Sequence, residues 1–412
     1  MIRSFIRNPQ AVLLLAACRM LKPAGLLAAA VLYGGVPAMA SEAVTTSPAP
    51  PPPALGAPLP LPPGAPGPWV PPAPKPPQKA ALPEPEAAEA PHIALLLPLR
   101  SATFGRHAEA VRNGFLAAAK AQGRTALPLR VYSVGDDPRH IAESYRRALA
   151  AGARAVVGPL TRDGVTTIAD GPVPVPTLAL NVPEPGARPP VNLYMLSLHV
   201  EAEARQLARF AYEEGRRKAI TVKADTPLMR RIHLAFVEEF SRLGGAHVAE
   251  YAFSGDPAAL ARLRQAAALG VADMAFLALD FARARLVRPY LDPLALYATS
   301  QVYPGSAGPL AGFDLTGVRF LDMPWLLQPD HPAVMVYPRS GYREAIDLER
   351  FYALGIDAFR IAQDLASGKT DVALDGVTGR ITLGHDQHFA RGLTAARFDQ
   401  GKLVTVTGRG PQ

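Results

Sequence analysis

Short apolar runs alternate with amphipathic helical segments along residues 92–412, and this alternation restricts the chain to few fold classes. The first run, residues 93–97, is continuously apolar, as expected of a strand that is buried on both faces of a sheet. A helical segment follows at about residues 106–122, with Val111, Phe115 and Ala119 on one stripe. Strands that alternate with helices indicate a parallel sheet that is covered by helices on both faces.

The alternation occurs twice. One series of strands and helices ends near residue 180, and a second begins with a helix at about residue 200. We therefore predict an α/β fold with two doubly wound parallel-sheet lobes. The predicted lobe 1 comprises residues 92–197 and 325–378, and the predicted lobe 2 comprises residues 198–324 and 379–412.

The first forty residues predict export. A short apolar run, residues 26–36, follows Lys22 and precedes an A-x-A motif, which indicates a signal peptide (residues 1–40) cleaved after Ala40. The run is shorter than the roughly 20 apolar residues of a membrane-spanning helix. Alternatively, residues 15–18 resemble a lipobox with Cys18 as the lipidated residue, or the leader stays uncleaved as an anchor. All three alternatives place the folded part outside the cytoplasmic membrane.

A proline-rich spacer separates this leader from the folded part. Residues 41–91 contain 19 of the 44 prolines, and such a composition favours extended polyproline II rather than a packed core. The main interpretation is a semi-rigid tether. The alternative is a recognition peptide for a partner with a groove, with Trp69 as its aromatic residue.

Charge and cysteine content exclude several classes. Half of the formal net charge of +8 lies in the leader, at Arg3, Arg7, Arg19 and Lys22. The remaining excess of about +4 is too small to indicate nucleic-acid binding, which needs a clustered basic surface. Cys18 is the single cysteine, so the chain forms no internal disulfide framework, zinc ribbon or iron–sulfur site.

The sequence contains no persuasive catalytic motif. Nucleophile-elbow, Walker, dinucleotide-binding and zinc-protease patterns do not occur in the folded part. Residues 385–388 form the one tight His/carboxylate cluster, and beside Gly384 they are interpreted as a solvated turn rather than a metal site. Residues 322–325, with Trp325 beside a proline, are interpreted as a packing hinge between lobes. We expect no enzymatic activity, cofactor or metal.

A ligand-binding cleft is compatible with the absence of a catalytic motif, because doubly wound sheets bind ligands beyond the carboxyl ends of their strands. Six residues at predicted strand ends are candidates for such a cleft: Ser101, Thr103, Gly158, Leu160, Thr161 and Asn181. Amides at a helix start suit a carboxylate or another anion. The same residues could instead only turn the chain and cap helices, and both interpretations stay open.

Two exported doubly wound lobes joined by several crossovers match the type I periplasmic-binding-protein fold. Bacterial repressors share this fold but carry a DNA-binding headpiece. Here a leader and a spacer occupy that place, which argues against a repressor.

Six segments resemble one known family: residues 92–119, 155–165, 176–181, 297–303, 317–327 and 350–365. They are similar to the C-terminal domain of the LppC/LpoA family, the penicillin-binding-protein activators of Gram-negative bacteria. The resemblance implies a non-enzymatic periplasmic regulator, associated with the outer membrane, that docks on a class A penicillin-binding protein and stimulates peptidoglycan synthesis. Peptidoglycan itself is a further candidate partner. The alternative function is a solute receptor for amino acids or a cell-wall fragment that serves an ABC importer or a sensor.

Overall fold

The computed structural model describes residues 90–406 except 124–126, 187–188, 306–311 and 343–344. The predicted leader, with Cys18 and Ala40, and residues 41–89 of the predicted spacer lie outside the described residues. Across the described ranges, no helix combines the length and the apolar character that crossing a bilayer requires.

Fifteen strands and ten helices make up the described part of the fold. In chain order the strands are β1 (His92–Leu97), β2 (Leu129–Ser133), β3 (Ala153–Val157), β4 (Thr177–Ala179), β5 (Leu193–Met195), β6 (Lys218–Lys223), β7 (Ala246–Ala252), β8 (Met274–Ala278), β9 (Ala295–Ala298), β10 (Val318–Asp322), β11 (Ala373–Gly376), β12 (Gly379–Leu383), β13 (Phe389–Gly392), β14 (Thr394–Asp399) and β15 (Lys402–Thr405). The helices are α1 (Gly105–Gln122), α2 (Pro138–Ala150), α3 (Arg162–Ala169), α4 (Val200–Glu213), α5 (Pro227–Arg242), α6 (Pro257–Ala268), α7 (Phe281–Val287), α8 (Pro324–Leu327), α9 (Pro332–Met335) and α10 (Ile346–Ala366).

Two large sheets repeat the same strand order. The first sheet is fully parallel with the order β2-β1-β3-β4-β5. The parallel part of the second sheet has the corresponding order β7-β6-β8-β9-β10. This is the doubly wound order in which strand 1 lies between strands 2 and 3. The predicted α/β class with two doubly wound sheets is confirmed.

The end of the chain departs from the predicted parallel pattern. Strands β14 and β15 add to the second sheet in antiparallel orientation beside β10. Strands β11, β12 and β13 form a separate antiparallel sheet. The β11–β12, β12–β13 and β14–β15 pairs are joined by short connections, because an antiparallel pair needs only a tight turn whereas a parallel pair needs a long crossover. Strand β14 pairs with β10 after a long intervening segment.

Helix starts are specified locally by capping residues. Asp137, Thr226 and Asp256 precede α2, α5 and α6, and each side chain accepts a hydrogen bond from a backbone amide of the first turn. A proline occupies the first turn of all three helices, where it sacrifices no helical hydrogen bond.

The face of the first sheet that packs against α1 and α10 contains a close helix–helix contact. Helices α1 and α10 cross there, and Phe115 and Phe359 meet edge to face with ring centroids 5.2 Å apart. Helices α2 and α3 cover the opposite face. Every residue of β1 is therefore buried, which explains the unbroken apolar run at residues 93–97.

The chain passes between the two large sheets three times, near residues 196–199, at Met323 and near residue 393. The sequence predicts the last passage at residues 378–379, but β11 and β12 pair across that point. Ile381 and Phe389 lie in the core beneath α10, so burial of these side chains holds β12 and β13 with the first sheet. The division into two lobes stays a prediction.

Candidate functional site

The predicted cleft residues at the end of β1 organise their own turn. The Ser101 hydroxyl accepts hydrogen bonds from the backbone amides of Thr103, at 3.2 Å, and Phe104, at 2.9 Å, and thereby leads the chain into α1. Thr103 is exposed. Gly158 follows β3 with φ +104°, and a Cβ atom there would lie 1.9 Å from the Leu96 carbonyl oxygen. Glycine is therefore required at this position for backbone packing.

The remaining predicted cleft residues are also engaged locally. Thr161 caps α3 by accepting a hydrogen bond from the Gly164 amide, at 3.3 Å. Leu160 is buried in the core. Asn181 donates to the Leu160 carbonyl, at 3.0 Å, and accepts from the Val182 amide, at 2.9 Å. These contacts correspond to the turn-and-cap interpretation, and a ligand role for the six residues stays a prediction.

Two neighbouring cavities lie at the passages of the chain between the sheets. Their volumes are about 200 Å³ and about 290 Å³, and both are lined by Glu203, Arg391 and Leu393. The smaller one also contacts Asp322 and Arg350. None of the six predicted cleft residues is among the described residues that line either cavity.

A buried ion pair connects α10 to the end of β10. The Arg350 guanidinium donates to both carboxylate oxygens of Asp322, from Nη2 at 2.7 Å and from Nε at 3.4 Å, and Nη2 also donates to the Ser300 carbonyl, at 3.2 Å. Arg350 and Asp322 are 8% and 3% exposed. Burial lowers the pKa of Arg350, but the Asp322 carboxylate outweighs this effect and the pKa is raised overall. Arg350 is therefore positively charged at all ordinary pH values.

Glu203 presents a buried carboxyl group to the same cavity from the first turn of α4. Its two oxygens accept hydrogen bonds from the Ser300 amide and, at 2.9 Å, from the Ser300 hydroxyl. Burial, and secondarily the negative charge of Asp322, raises the pKa of Glu203 to about 7. This carboxyl group therefore changes its charge near neutral pH.

The stability of the protein is expected to depend on pH through Glu203. Because folding raises the pKa of this carboxyl from 4.5 to about 7, the stability contributed by the neutral form is complete below pH 4.5 and is lost as pH rises through 7. The Glu203→Gln variant retains a neutral side chain. Relative to the wild type, its free energy of unfolding should therefore increase by about 2 kcal/mol between pH 5 and pH 8. Urea denaturation at several pH values measures the difference.

Glu239 provides a control, because its pKa is shifted in the opposite direction from that of Glu203. Hydrogen bonds from Arg242 and Arg209 lower its pKa to about 2, so its stabilising contribution is present above pH 4.5 and is lost at acid pH. The Glu239→Gln variant should therefore show a constant difference from the wild type between pH 6 and pH 8. A Glu203→Gln difference that is equally constant across this range would contradict the assignment.

Arg391, on β13, is a guanidinium without a carboxylate partner. Its Nε donates to the Ser197 carbonyl, at 3.0 Å, and its Nη1 donates to the Thr378 carbonyl, at 3.3 Å. Within the described part of the chain, no carboxylate oxygen lies within 4.0 Å of its nitrogens. Burial lowers the pKa of Arg391, and more distant carboxylates, Glu203 first among them, oppose this effect.

Gln206 fixes the strand that carries Arg391. From α4, its amide group donates to the Arg391 carbonyl, at 3.2 Å, and accepts from the Leu393 backbone amide, at 2.9 Å. The backbone at the third passage between the sheets is thus held to the same helix that carries Glu203.

The motifs at residues 322–325 and 385–388 differ in their relation to the cavities. Trp325 is 1% exposed and donates from its indole to Glu349, at 2.8 Å, as expected of a packing residue, whereas Asp322 of the same motif lines the cavity. Residues 385–388 form a turn that is closed by a hydrogen bond from the Gly384 amide to the His388 carbonyl, at 2.8 Å. Among the residues that the structure describes, no cluster of three or more His, Cys, Asp or Glu side chains is arranged to hold a metal.

Sequence reasoning missed Glu203, Ser300, Arg350 and Arg391. A usable signal existed for Arg350 and Glu203: each lies one helical turn before a buried leucine, Leu354 on α10 and Leu207 on α4. A charged residue on an apolar stripe needs a buried partner.

Comparisons with known proteins cover most of the described fold. A family model described as "LppC putative lipoprotein" matches residues 80–273 and 271–401. The protein named penicillin-binding protein activator LpoA of Pantoea ananatis is 28% identical over 326 residues, which are 68% of this chain and 48% of the relative. The LpoA of Edwardsiella piscicida is 27% identical over 328 residues, 69% of this chain and 47% of the relative. The chain thus spans about half the length of the curated relatives it matches.

Solved structures agree with the fold. A chain from Chromobacterium violaceum, described as a "putative branched-chain amino acid ABC transporter", is 42% identical with a TM-score of 0.66, and the match covers 75% of this chain and all of that one. The LpoA C-domain of Haemophilus influenzae, described as a regulator of PBP1A, is 23% identical with a TM-score of 0.65, and the match covers 77% of this chain and all of that one. The second likeness supports the fold alone.

Proposed function

Because the chain belongs to the LppC family, we propose that it is a non-enzymatic periplasmic regulator that binds and activates a class A penicillin-binding protein. The observation that carries this proposal is the agreement of its sequence, over most of the described fold, with relatives named as penicillin-binding-protein activators. The partner is recognised by direct contact, and peptidoglycan is a further candidate ligand of the same protein.

The polar groups between the two large sheets support a regulator rather than an enzyme. Asp322 and Arg350 neutralise each other, and Ser300 donates one hydrogen bond to each oxygen of Glu203. A catalytic acid or nucleophile needs an accessible reacting atom that is positioned beside a base. Here the Arg350–Asp322 ion pair and the hydrogen bonds from Ser300 to Glu203 instead connect separate elements of the fold.

Localisation in the periplasm follows from the leader. Residues 1–40 are predicted to be the export signal, and the alternatives are cleavage after Ala40, lipidation at Cys18 or retention as an uncleaved anchor. The family description as a lipoprotein supports association with the outer membrane. The proline-rich spacer, residues 41–91, then separates the folded part from its point of attachment.

A glycan-polymerisation assay tests the proposed activation. The purified protein is added to each class A penicillin-binding protein of the organism that carries this chain, and consumption of the lipid-linked substrate is followed over time. One synthase is expected to accelerate with a saturable dependence on protein concentration and to be retained in a pull-down. An unchanged rate and no retention for every class A synthase would overturn the proposal.

A solute receptor is the second candidate function. It is favoured by the 42% identity to a chain described as an amino-acid ABC transporter and by the charged cavities between the sheets. Because a ligand that binds only the folded state raises the unfolding temperature, a thermal-shift screen with amino acids separates the two candidates. The regulator requires no such shift.

A further inference from the structure

Two opposite charges line the same pair of cavities without touching. Arg391 and Glu203 both contact the cavities of about 200 Å³ and about 290 Å³, but the described ion pairs join neither residue to the other. Arg391 donates to two backbone carbonyls, which are neutral acceptors. Its positive charge is therefore not neutralised by direct contact with a carboxylate.

Several other charged groups near these cavities are already paired. Asp322 forms its ion pair with Arg350, and Asp347 also accepts from Arg350, at 2.8 Å. Asp357 accepts hydrogen bonds from the Val377 amide, at 3.1 Å, and from the amide and hydroxyl of Thr378. Among the described residues, Arg391 and Glu203 are the positive and the negative group that line both cavities, whereas Asp386 lines only the larger one.

Apolar side chains complete the smaller cavity. Leu198, Val200, Met323 and Phe351 line it together with the charged residues. Drug-sized ligands occupy sites of roughly 300–1,000 Å³, so the two cavities match a ligand of only a few non-hydrogen atoms. Such a ligand would present a short apolar group to this lining.

We propose that the cavities bind a small zwitterion of the α-amino-acid class, with its carboxylate on Arg391 and its ammonium group on Glu203. This site differs from the predicted loops at Ser101, Thr161 and Asn181. The proposal deepens the second candidate function, the receptor, and does not depend on whether the protein activates a synthase.

Binding at this site is coupled to protonation. An ammonium group beside Glu203 favours the ionised carboxylate and lowers its pKa from about 7. Among the other charged groups that face Glu203, Asp322, on β10, raises this pKa and Arg350, on α10, lowers it, and Arg391, on β13, lines the same cavities. Binding should therefore release a proton near neutral pH, and the affinity should increase as pH rises from 6 to 8.

Calorimetric titration of the whole protein tests the site. At pH 8 the probes are glycine and both enantiomers of alanine, valine and leucine, together with isovalerate and isoamylamine, which each carry only one of the two charges. At least one amino acid is expected to bind, and the single-charge analogues are expected to bind at least about tenfold more weakly, since each lacks a charge-assisted hydrogen bond. No binding by any amino acid would overturn the proposal, as would equal binding of isovalerate.

Three variants localise the binding. Glu203→Gln and Arg391→Met should each weaken it about tenfold or more, and Arg391→Lys should retain part of it because the charge is kept. Arg397→Met is the matched control, since Arg397 pairs with Asp399 on the outer hairpin and should bind like the wild type. Circular dichroism checks folding, and Glu203→Gln remains informative if Arg391→Met fails to fold. Unchanged affinity in Glu203→Gln would place the ligand elsewhere and reject the site.

The same variants separate this proposal from synthase activation. If the protein accelerates a class A synthase but binds no amino acid, the ligand site is rejected and the proposed activation is supported. If it binds leucine through Arg391 but accelerates no synthase, the ligand site is supported and the proposed activation is rejected.

Discussion

Replacing Gly355 by alanine is expected to destabilise the protein by about 3 kcal/mol or more. A Cβ atom at Gly355, on α10, would lie 2.1 Å from the Val111 carbonyl oxygen and 2.9 Å from the Phe115 amide nitrogen, on α1. The contact is reciprocal, because a Cβ atom at Gly114 would lie 1.9 Å from the Tyr352 carbonyl oxygen. The obstructing atoms belong to the backbone, so the two helices must separate.

The sign of this effect distinguishes packing from helix propensity. In an isolated helix, glycine to alanine stabilises by about 1 kcal/mol, so a net loss requires the clash. Denaturant unfolding measures the change against Gly135→Ala, where a Cβ atom meets no atom within 4 Å and the effect should stay within about 0.5 kcal/mol. Equal stability of the two variants would mean that α1 and α10 do not pack this closely.

Replacing Arg350 by methionine is expected to lower the free energy of unfolding by about 3–5 kcal/mol. The substitution keeps most of the apolar volume but leaves the Asp322 carboxylate, which is 3% exposed, buried without a counter-charge. It also removes the hydrogen bond to the Ser300 carbonyl. Arg350 lies on α10, Asp322 ends β10 and Ser300 follows β9. The loss therefore affects the junction between the two large sheets.

A double variant isolates the uncompensated charge. Asp322→Asn retains the oxygen that accepts from the Met323 amide and removes the negative charge. Arg350→Met combined with Asp322→Asn should therefore recover a measurable part of the stability that Arg350→Met alone loses. Arg112→Met is the control, because its pair with Glu109 is exposed and such pairs contribute about 1 kcal/mol at most. Additive losses in the double variant would contradict the ion-pair interpretation.

Local sequence patterns were sufficient for the parallel part of the two large sheets. The apolar segment that became β1 and the stripe of α1 depend on the spacing of neighbouring residues, and burial follows from that spacing. The repeated order of strands in the two sheets follows from the repeated alternation, since right-handed crossovers leave few arrangements of parallel strands. The family segments lie in the same elements, for example α10.

The site required the tertiary structure. The predicted loop residues, Ser101 and Thr161 among them, use their polar atoms to start helices, which is a role that sequence alone could not separate from ligand binding. Glu203, Arg350 and Arg391 are distant in the chain and meet only where it passes between the sheets.

Periodicity records how each segment buries its own apolar face, and the sequence determined the fold class and the family for that reason. Which charged side chains face one another across a cavity depends on the packing of separate segments, and no local pattern encodes it. The close crossing at Gly355, the ion pair of Arg350 and the two unjoined charges of Glu203 and Arg391 were therefore decided by the tertiary structure alone.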